Sequence, residues 1–348
     1  MKYPAFLIVA AFLCTALASA LARAEAQAIR IVATTTDLAD ITRAICGDLA
    51  IVTSITTGQE DPHALSAKPG FVVSARDADL WIRIGMELEI GWEGPILRDS
   101  RNRRIQVGAP GHLDASTNVI RLDVPTQAIT RAMGDVHPMG NPHYWLDPLN
   151  GRIVAKTITD KLSDLYPQHQ DAFQQNLRNF QNDLDEHMFG QTLVARFGGA
   201  KLWRFLNDGT LKPQLAAADL GAGDGWYGLL EPYAGSYVVT YHRSWIYLLE
   251  RFNLPVLAEM EPLPGVPPSG RHLAKLAQDM RDKQVRVILQ EPFYNRKAAD
   301  LLAKRSPATV LVRANACGGS AEATSYLAML DSVIRGLHNA LSNDTPQP

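Results

Sequence analysis

The chain has 348 residues, 46% of them hydrophobic and 20% charged, with a formal net charge of -2. That length suits roughly two domains with cores of their own, and the balance is that of an ordinary globular protein. Near-neutral charge excludes the basic field that nucleic acid or an anionic membrane surface requires, and 3 cysteines make no disulfide framework in a chain this long.

In chain order, Lys2 gives a short cationic lead to an apolar run from Ala5 to Ala22. Two small-x-small sites, Ala18-Ser19-Ala20 and Ala22-Arg23-Ala24, precede the rise in polarity at Glu25. This order reads as a secretory signal peptide over residues 1–24, which places the mature chain in the periplasm. The competing reading is a retained membrane anchor, since the run approaches a bilayer span. Cys14 follows bulky Leu13, where a lipoprotein signal needs a small residue. Of the other two cysteines, Cys46 and Cys317, spacing does not say whether they pair.

A first lobe is expected over 25–166. Strands are read at Ile29–Ala33, Ala50–Ile55 and Leu80–Ile84, with a helix opening at Thr36-Asp37-Leu38 and ending at Gly47. From Asn150 the spacing turns helical, and Pro167 divides it. The second piece, about Gln168 to Ala195, fills a linking element at 167–196; a strut between lobes and an ordinary surface helix both fit. A second lobe covers 197–348, beginning with a Gly/Ala-rich excursion at 197–235 that reads as irregular and flexible. Strands follow at Tyr237–Tyr241, Val256–Glu259, Val285–Gln290 and Val310–Val312, with helices near Gly270–Lys283, Arg296–Arg305 and Glu322–Leu341. Strands alternating with helices give an α/β fold of two lobes across a cleft, with ligands at the carboxyl ends of the strands.

Three of the 9 histidines stand out by context. His63 follows Glu60-Asp61-Pro62; His143 lies in Asn141-Pro142-His143-Tyr144-Trp145-Leu146-Asp147-Pro148; His242 lies where a strand gives way to a helix. Neutral imidazole is the commonest metal ligand, and three suit zinc. A lone loop histidine is more often a surface or capping group, so spacing alone is a weak signal. Asp147, Glu60 and Asp61 are candidates to orient a ligating ring, and Asp147 equally suits a helix cap near Leu149.

The segments Ala33-Thr34-Thr35-Thr36-Asp37-Leu38, Asp61-Pro62-His63, Asn141 to Pro148 and Val239-Thr240-Tyr241-His242 resemble the zinc- and manganese-binding solute-binding proteins of ABC importers. Later matches are Gln290-Glu291-Pro292, and Gly318-Gly319 leading to Ser325-Tyr326, so the likeness runs in order from about Ile29 to Leu341. It implies two Rossmann-like lobes with a central cleft, bridged by one long rigid helix, and a metal ion held between them. The family's first three ligand positions fall on His63, His143 and His242. A histidine at the third goes with zinc and a glutamate with manganese; nitrogen donors favour zinc for the same reason that oxygen donors favour the harder ion.

The fourth position departs from the family pattern, because Arg313 to Gly319 holds no carboxylate where many members have an aspartate. Glu291 is the first choice, with Cys317 or water as alternatives; Asn315 is a poor zinc ligand. His137, in a glycine-flanked stretch, reads either as an exposed loop histidine or as part of a flap that collects metal.

Zn2+ is thus expected as bound substrate, with Mn2+ as an alternative and no organic cofactor. The implied partners are a permease, its ATPase and a periplasmic metal chaperone, with no nucleic acid. Two competing readings are a secreted zinc hydrolase and a binder of metal chelates. The hydrolase lacks a His-Glu-x-x-His motif or a serine elbow, and the chain is read as no enzyme.

Overall fold

Short β-branched runs that alternate with helices pair as parallel strands, because each helix supplies the crossover. Both halves of the chain follow that rule. A computed structural model describes residues 28–127, 137–263 and 265–342; the expected signal peptide lies outside the described residues.

In the first lobe β1 (Ile29–Ala33), β2 (Ala50–Ser54), β3 (Leu80–Arg83) and β4 (His112–Asp114) form one parallel sheet in the order β2-β1-β3-β4. Helix α1 (Thr36–Cys46) starts where Thr35 accepts a hydrogen bond from the Leu38 amide, and it stops at Gly47. Helices α2 (Pro69–Arg76) and α3 (Glu93–Ser100) follow. The 3-residue β4 was not anticipated, because a run that short carries no readable period.

The second lobe repeats the plan. Its strands β5 (Val238–Thr240), β6 (Val256–Glu259), β7 (Val287–Gln290) and β8 (Thr309–Val312) pair in parallel in the order β6-β5-β7-β8. Residues at the carboxyl ends of both sheets face the junction between the lobes.

Asp147 caps α4 (Pro148–Leu165) by accepting from the Leu149 amide at 2.9 Å. After a turn at Pro167–His169 comes α5 (Gln170–Phe189), the long helix that links the lobes. It packs on α1 and α4 of the first lobe, and on α9 (Trp226–Leu230) and α13 (Tyr326–Ser342) of the second. The linking element expected over 167–196 ends early, at Gly190, whose φ of 83° suits glycine. A Cβ there would lie 1.9 Å from an Asp224 carboxylate oxygen, so only glycine fits, and at this positive-φ residue the helix ends and the chain restarts as α6 (Gln191–Phe197).

The excursion at 197–235 is a correction. It contains α7 (Gly199–Asn207), α8 (Leu211–Ala217) and α9, with Leu202, Trp203, Leu211, Leu215, Trp226 and Leu230 all buried. Glycine and alanine dominated the composition, but the large apolar residues recur at helical spacing and find a core. One cluster of buried residues runs from Ile29 to Leu341 without a seam between the lobes.

Helix α10 (Ile246–Arg251), which precedes α11 (Gly270–Asp282) and α12 (Lys297–Ala303), reaches back to the first lobe, where Arg251 forms a paired ion bridge to Asp147 at 2.8 and 2.7 Å. Cys46 and Cys317 are buried and free. Cys46 ends α1, while the Cys317 amide donates to Asp37 at its first turn, 3.0 Å away. An 11-residue helix separates its ends by about 15 Å, beyond disulfide reach. No described helix is long and apolar enough to cross a membrane.

Candidate metal centre

Each of three loops delivers one histidine to the junction. Proline at 62 opens a single 3-10 turn, Pro62–Ala64, that carries His63. Asp61 accepts from the His63 amide at 2.9 Å, and the Trp92 indole N–H holds the Pro62 carbonyl at 2.9 Å. Asp61 is therefore bound to the His63 backbone, while Glu60 accepts from the Thr57 amide at 2.9 Å. His143 precedes the Tyr144–Leu146 turn that runs into α4, and its ring lies 5.2 Å from that of Trp145. His242 follows β5 directly.

The donor nitrogens of His63, His143 and His242 all lie within 4.8 Å of one another; among the described residues this is the one such group of His, Cys, Asp or Glu. The Nε2 atoms of His63 and His143 are 3.3 Å apart. Ring centroids are separated by 5.1 Å (His63–His143), 5.5 Å (His143–His242) and 6.0 Å (His63–His242).

Two of the rings are oriented by a partner on Nδ1. Asn141 Oδ1 lies 2.9 Å from His143 Nδ1 and also accepts from the His143 amide at 3.0 Å. Glu261 Oε2 lies 2.8 Å from His242 Nδ1. In each case an Nδ1–H donor leaves Nε2 with its lone pair toward the junction, the arrangement a ligating imidazole needs.

The two rings differ in charge. Burial, with the neighbouring His63, His242 and His137, holds His143 well below the usual imidazole range. Burial also pushes His242 down, but the Glu261 hydrogen bond and the charges of Glu291, Glu261 and Asp61 outweigh it and raise His242.

Glu291 ends β7 and is fully buried; burial lifts its carboxyl to about 7 against the pull of Ser244 and His242. It accepts from the Ser244 hydroxyl and is not among the clustered donors. Cys317 is also outside the group: its thiol is hydrogen-bonded to Asp37, and burial raises it far above the usual thiol range. Asn315 offers its carbonyl to the Trp145 indole at 2.9 Å. Asp147 is a cap and ion-pair partner. His137 does come to the centre, its ring 5.1 Å from that of His63.

Asn141 and Glu261 were not foreseen as orienting groups. Asn141 opens the Asn141–Pro148 segment, two residues before the ring it holds. Glu261 could be found only through strand order: β5 and β6 pair Thr240 with Glu259, so residues two further on, 242 and 261, also meet.

The family model described as ZnuA, zinc-uptake complex component A periplasmic, matches residues 31–188 and 226–340. The unmatched stretch between carries α6, α7 and α8. The metal ABC transporter substrate-binding lipoprotein SloC of Streptococcus mutans is 25% identical over 199 residues, 57% of this chain and 62% of SloC, less than two thirds of its length. The iron-binding protein YfeA of Yersinia pestis is 23% identical over 322 residues, 89% of this chain and 85% of that protein. A crystal structure of ZnuA superposes with a TM-score of 0.67 at 20% identity, covering 90% of this chain and all of that one, which speaks to the fold. With that fold in place and a family model spanning most of its length, the chain belongs to the ZnuA family of periplasmic zinc-uptake component A proteins.

Proposed function

We propose that this chain is the extracytoplasmic substrate-binding component of an ABC importer, capturing a divalent metal ion, zinc first, and handing it to the membrane permease and its ATPase. The observation that carries the reading is the convergence of three imidazole donors, from loops 63, 143 and 242, within 4.8 Å of one another. Nitrogen-rich sites suit zinc better than manganese, which prefers oxygen. Half-buried Glu261 and fully buried Glu291 act on His242 and offset part of the charge of a dication. In this reading the signal peptide exports the chain to the periplasm, where a metal chaperone is a further partner.

Titration of metal-free mature protein with zinc, manganese, ferrous iron and a metal chelate tests the proposal. One tightly held zinc per chain is the expected result. Binding of the chelate alone would sink ion capture, and ester or peptide turnover abolished by chelation would make the centre catalytic.

A further inference from the structure

We infer that His137 is the fourth ligand, closing over an ion held by the other three histidines. The inference rests on the metal-capture reading above and adds the donor that the carboxylate-free loop after β8 does not supply.

The His137 ring lies 5.1 Å from His63 at an interplanar angle of 32°. That separation equals the 5.1 Å between His63 and His143, two rings whose Nε2 atoms already face each other. His137 also acts electrostatically on His143, so its ring is near both of the first-lobe donors.

The approach is built into the backbone. The Gly140 amide donates to the His137 carbonyl at 3.2 Å, which makes residues 137–140 a tight turn. Gly140 has φ 101°, and a Cβ there would lie 2.6 Å from the Leu122 carbonyl. The next amide, Asn141, donates to that same carbonyl at 2.9 Å. Asn141 in turn holds His143, so one short tether fixes both His137 and His143.

Among the alternatives, the Cys317 thiol is hydrogen-bonded to Asp37, and Glu291 accepts from Ser244 through Oε1 while its Oε2 is buried without a partner, so Glu291 is the competitor that the test must separate from His137. His137, like Glu291 and Cys317, lies outside the group of donors within 4.8 Å of one another, so coordination requires its side chain to move toward the ion. Four-coordinate tetrahedral geometry closes a zinc site, whereas three ligands leave a position open to water. A four-imidazole set would also strengthen discrimination against the oxygen-preferring manganese ion.

Cobalt(II), which reports ligand number through its visible bands, is the probe, together with zinc affinity measured against a competing chelator. His137→Ala should weaken zinc by at least about tenfold and replace the four-coordinate cobalt spectrum with a weaker, higher-coordinate one. His137→Cys should create a thiolate-to-cobalt charge-transfer band, which only direct coordination produces. An unchanged spectrum and affinity in His137→Ala, with no new band in His137→Cys, would overturn the inference; a Glu291→Gln variant that alone moved both signals would assign the position to Glu291. His143→Ala separates the two levels. If it abolishes binding while the His137 variants are silent, only the fourth ligand is wrong; if it too is silent, the metal-capture reading fails with it.

Discussion

The two lobes contribute the same kind of ligand on opposite electrostatic terms. The first lobe presents His143 with a neutral amide partner, Asn141, and buries it until it sheds its proton easily. The second presents His242 against the Glu261 carboxylate with Glu291 behind it, so that ring holds its proton more tightly. One half is thus ready to bind before the ion arrives, and the other exchanges a proton for it. A dication entering between them meets lone pairs on one side and compensating charge on the other. The difference explains how a largely buried centre can attract an ion without holding three charged imidazoles in its absence.

Removing a ligand from the ready half is the most severe way to break this arrangement. His143→Ala should lower zinc affinity by more than about 100-fold in a chelator competition, because losing a donor exceeds the usual cost of losing its supporting partner. Next comes the charged half: Glu261→Gln should weaken zinc by roughly 10- to 100-fold and lower the His242 titration toward its ordinary range. Proton release measured on zinc addition near neutrality should fall in the same variant.

Nuclear magnetic resonance titration of the metal-free protein sharpens the contrast directly. His143 should titrate below 6.5 and His242 above it. The stability signs are opposite as well. A lowered imidazole favours the fold above 6.5, and that contribution is lost as pH falls below it. A raised one favours the fold below 6.5 and loses its contribution as pH rises through the folded value. Replacing His143 by Asn should therefore flatten the acid side of a melting-temperature profile, and replacing His242 the neutral side. Two imidazoles titrating together would remove the contrast.

Smaller effects are expected where the halves touch. The Tyr294 hydroxyl donates to Asp61 across the junction at 3.3 Å, and its ring stacks on Tyr241 at 4.1 Å. Tyr294→Phe keeps the stack and removes the hydrogen bond, for about 0.5–1 kcal/mol, or a few-fold faster zinc release in stopped flow. The smallest change concerns overall shape. Because one core runs through both lobes and Arg251 ties α10 to Asp147, zinc should leave the scattering radius nearly unchanged. A marked contraction would show that the lobes hinge.

Much of the fold was legible because its signals are local. Alternating β-branched runs and helices gave seven of the eight strands, and Thr36-Asp37-Leu38 and Gly47 marked the ends of α1. The helices of 197–235 were missed because glycine and alanine masked a sparse apolar pattern that makes sense only against α5 and α13. The linking helix was read too long because Gly190 counts for little in a periodicity and for much beside Asp224.

By itself the sequence determined the succession of strands and helices along the chain, the three loop histidines and the ordered motifs that mark the family. Those features depend on neighbouring residues, which chain order preserves. Tertiary structure decided everything that depends on approach through space: that the three rings meet within 4.8 Å, and that Glu261 rather than Asp147 holds one of them. It also decided that Cys317 serves an Asp37 contact and that His137 lies against His63. Hydrogen bonds and donor sets are fixed by distances of a few ångströms, and residues far apart along the chain acquire such distances only when the sheets, the long helix and the common core have packed.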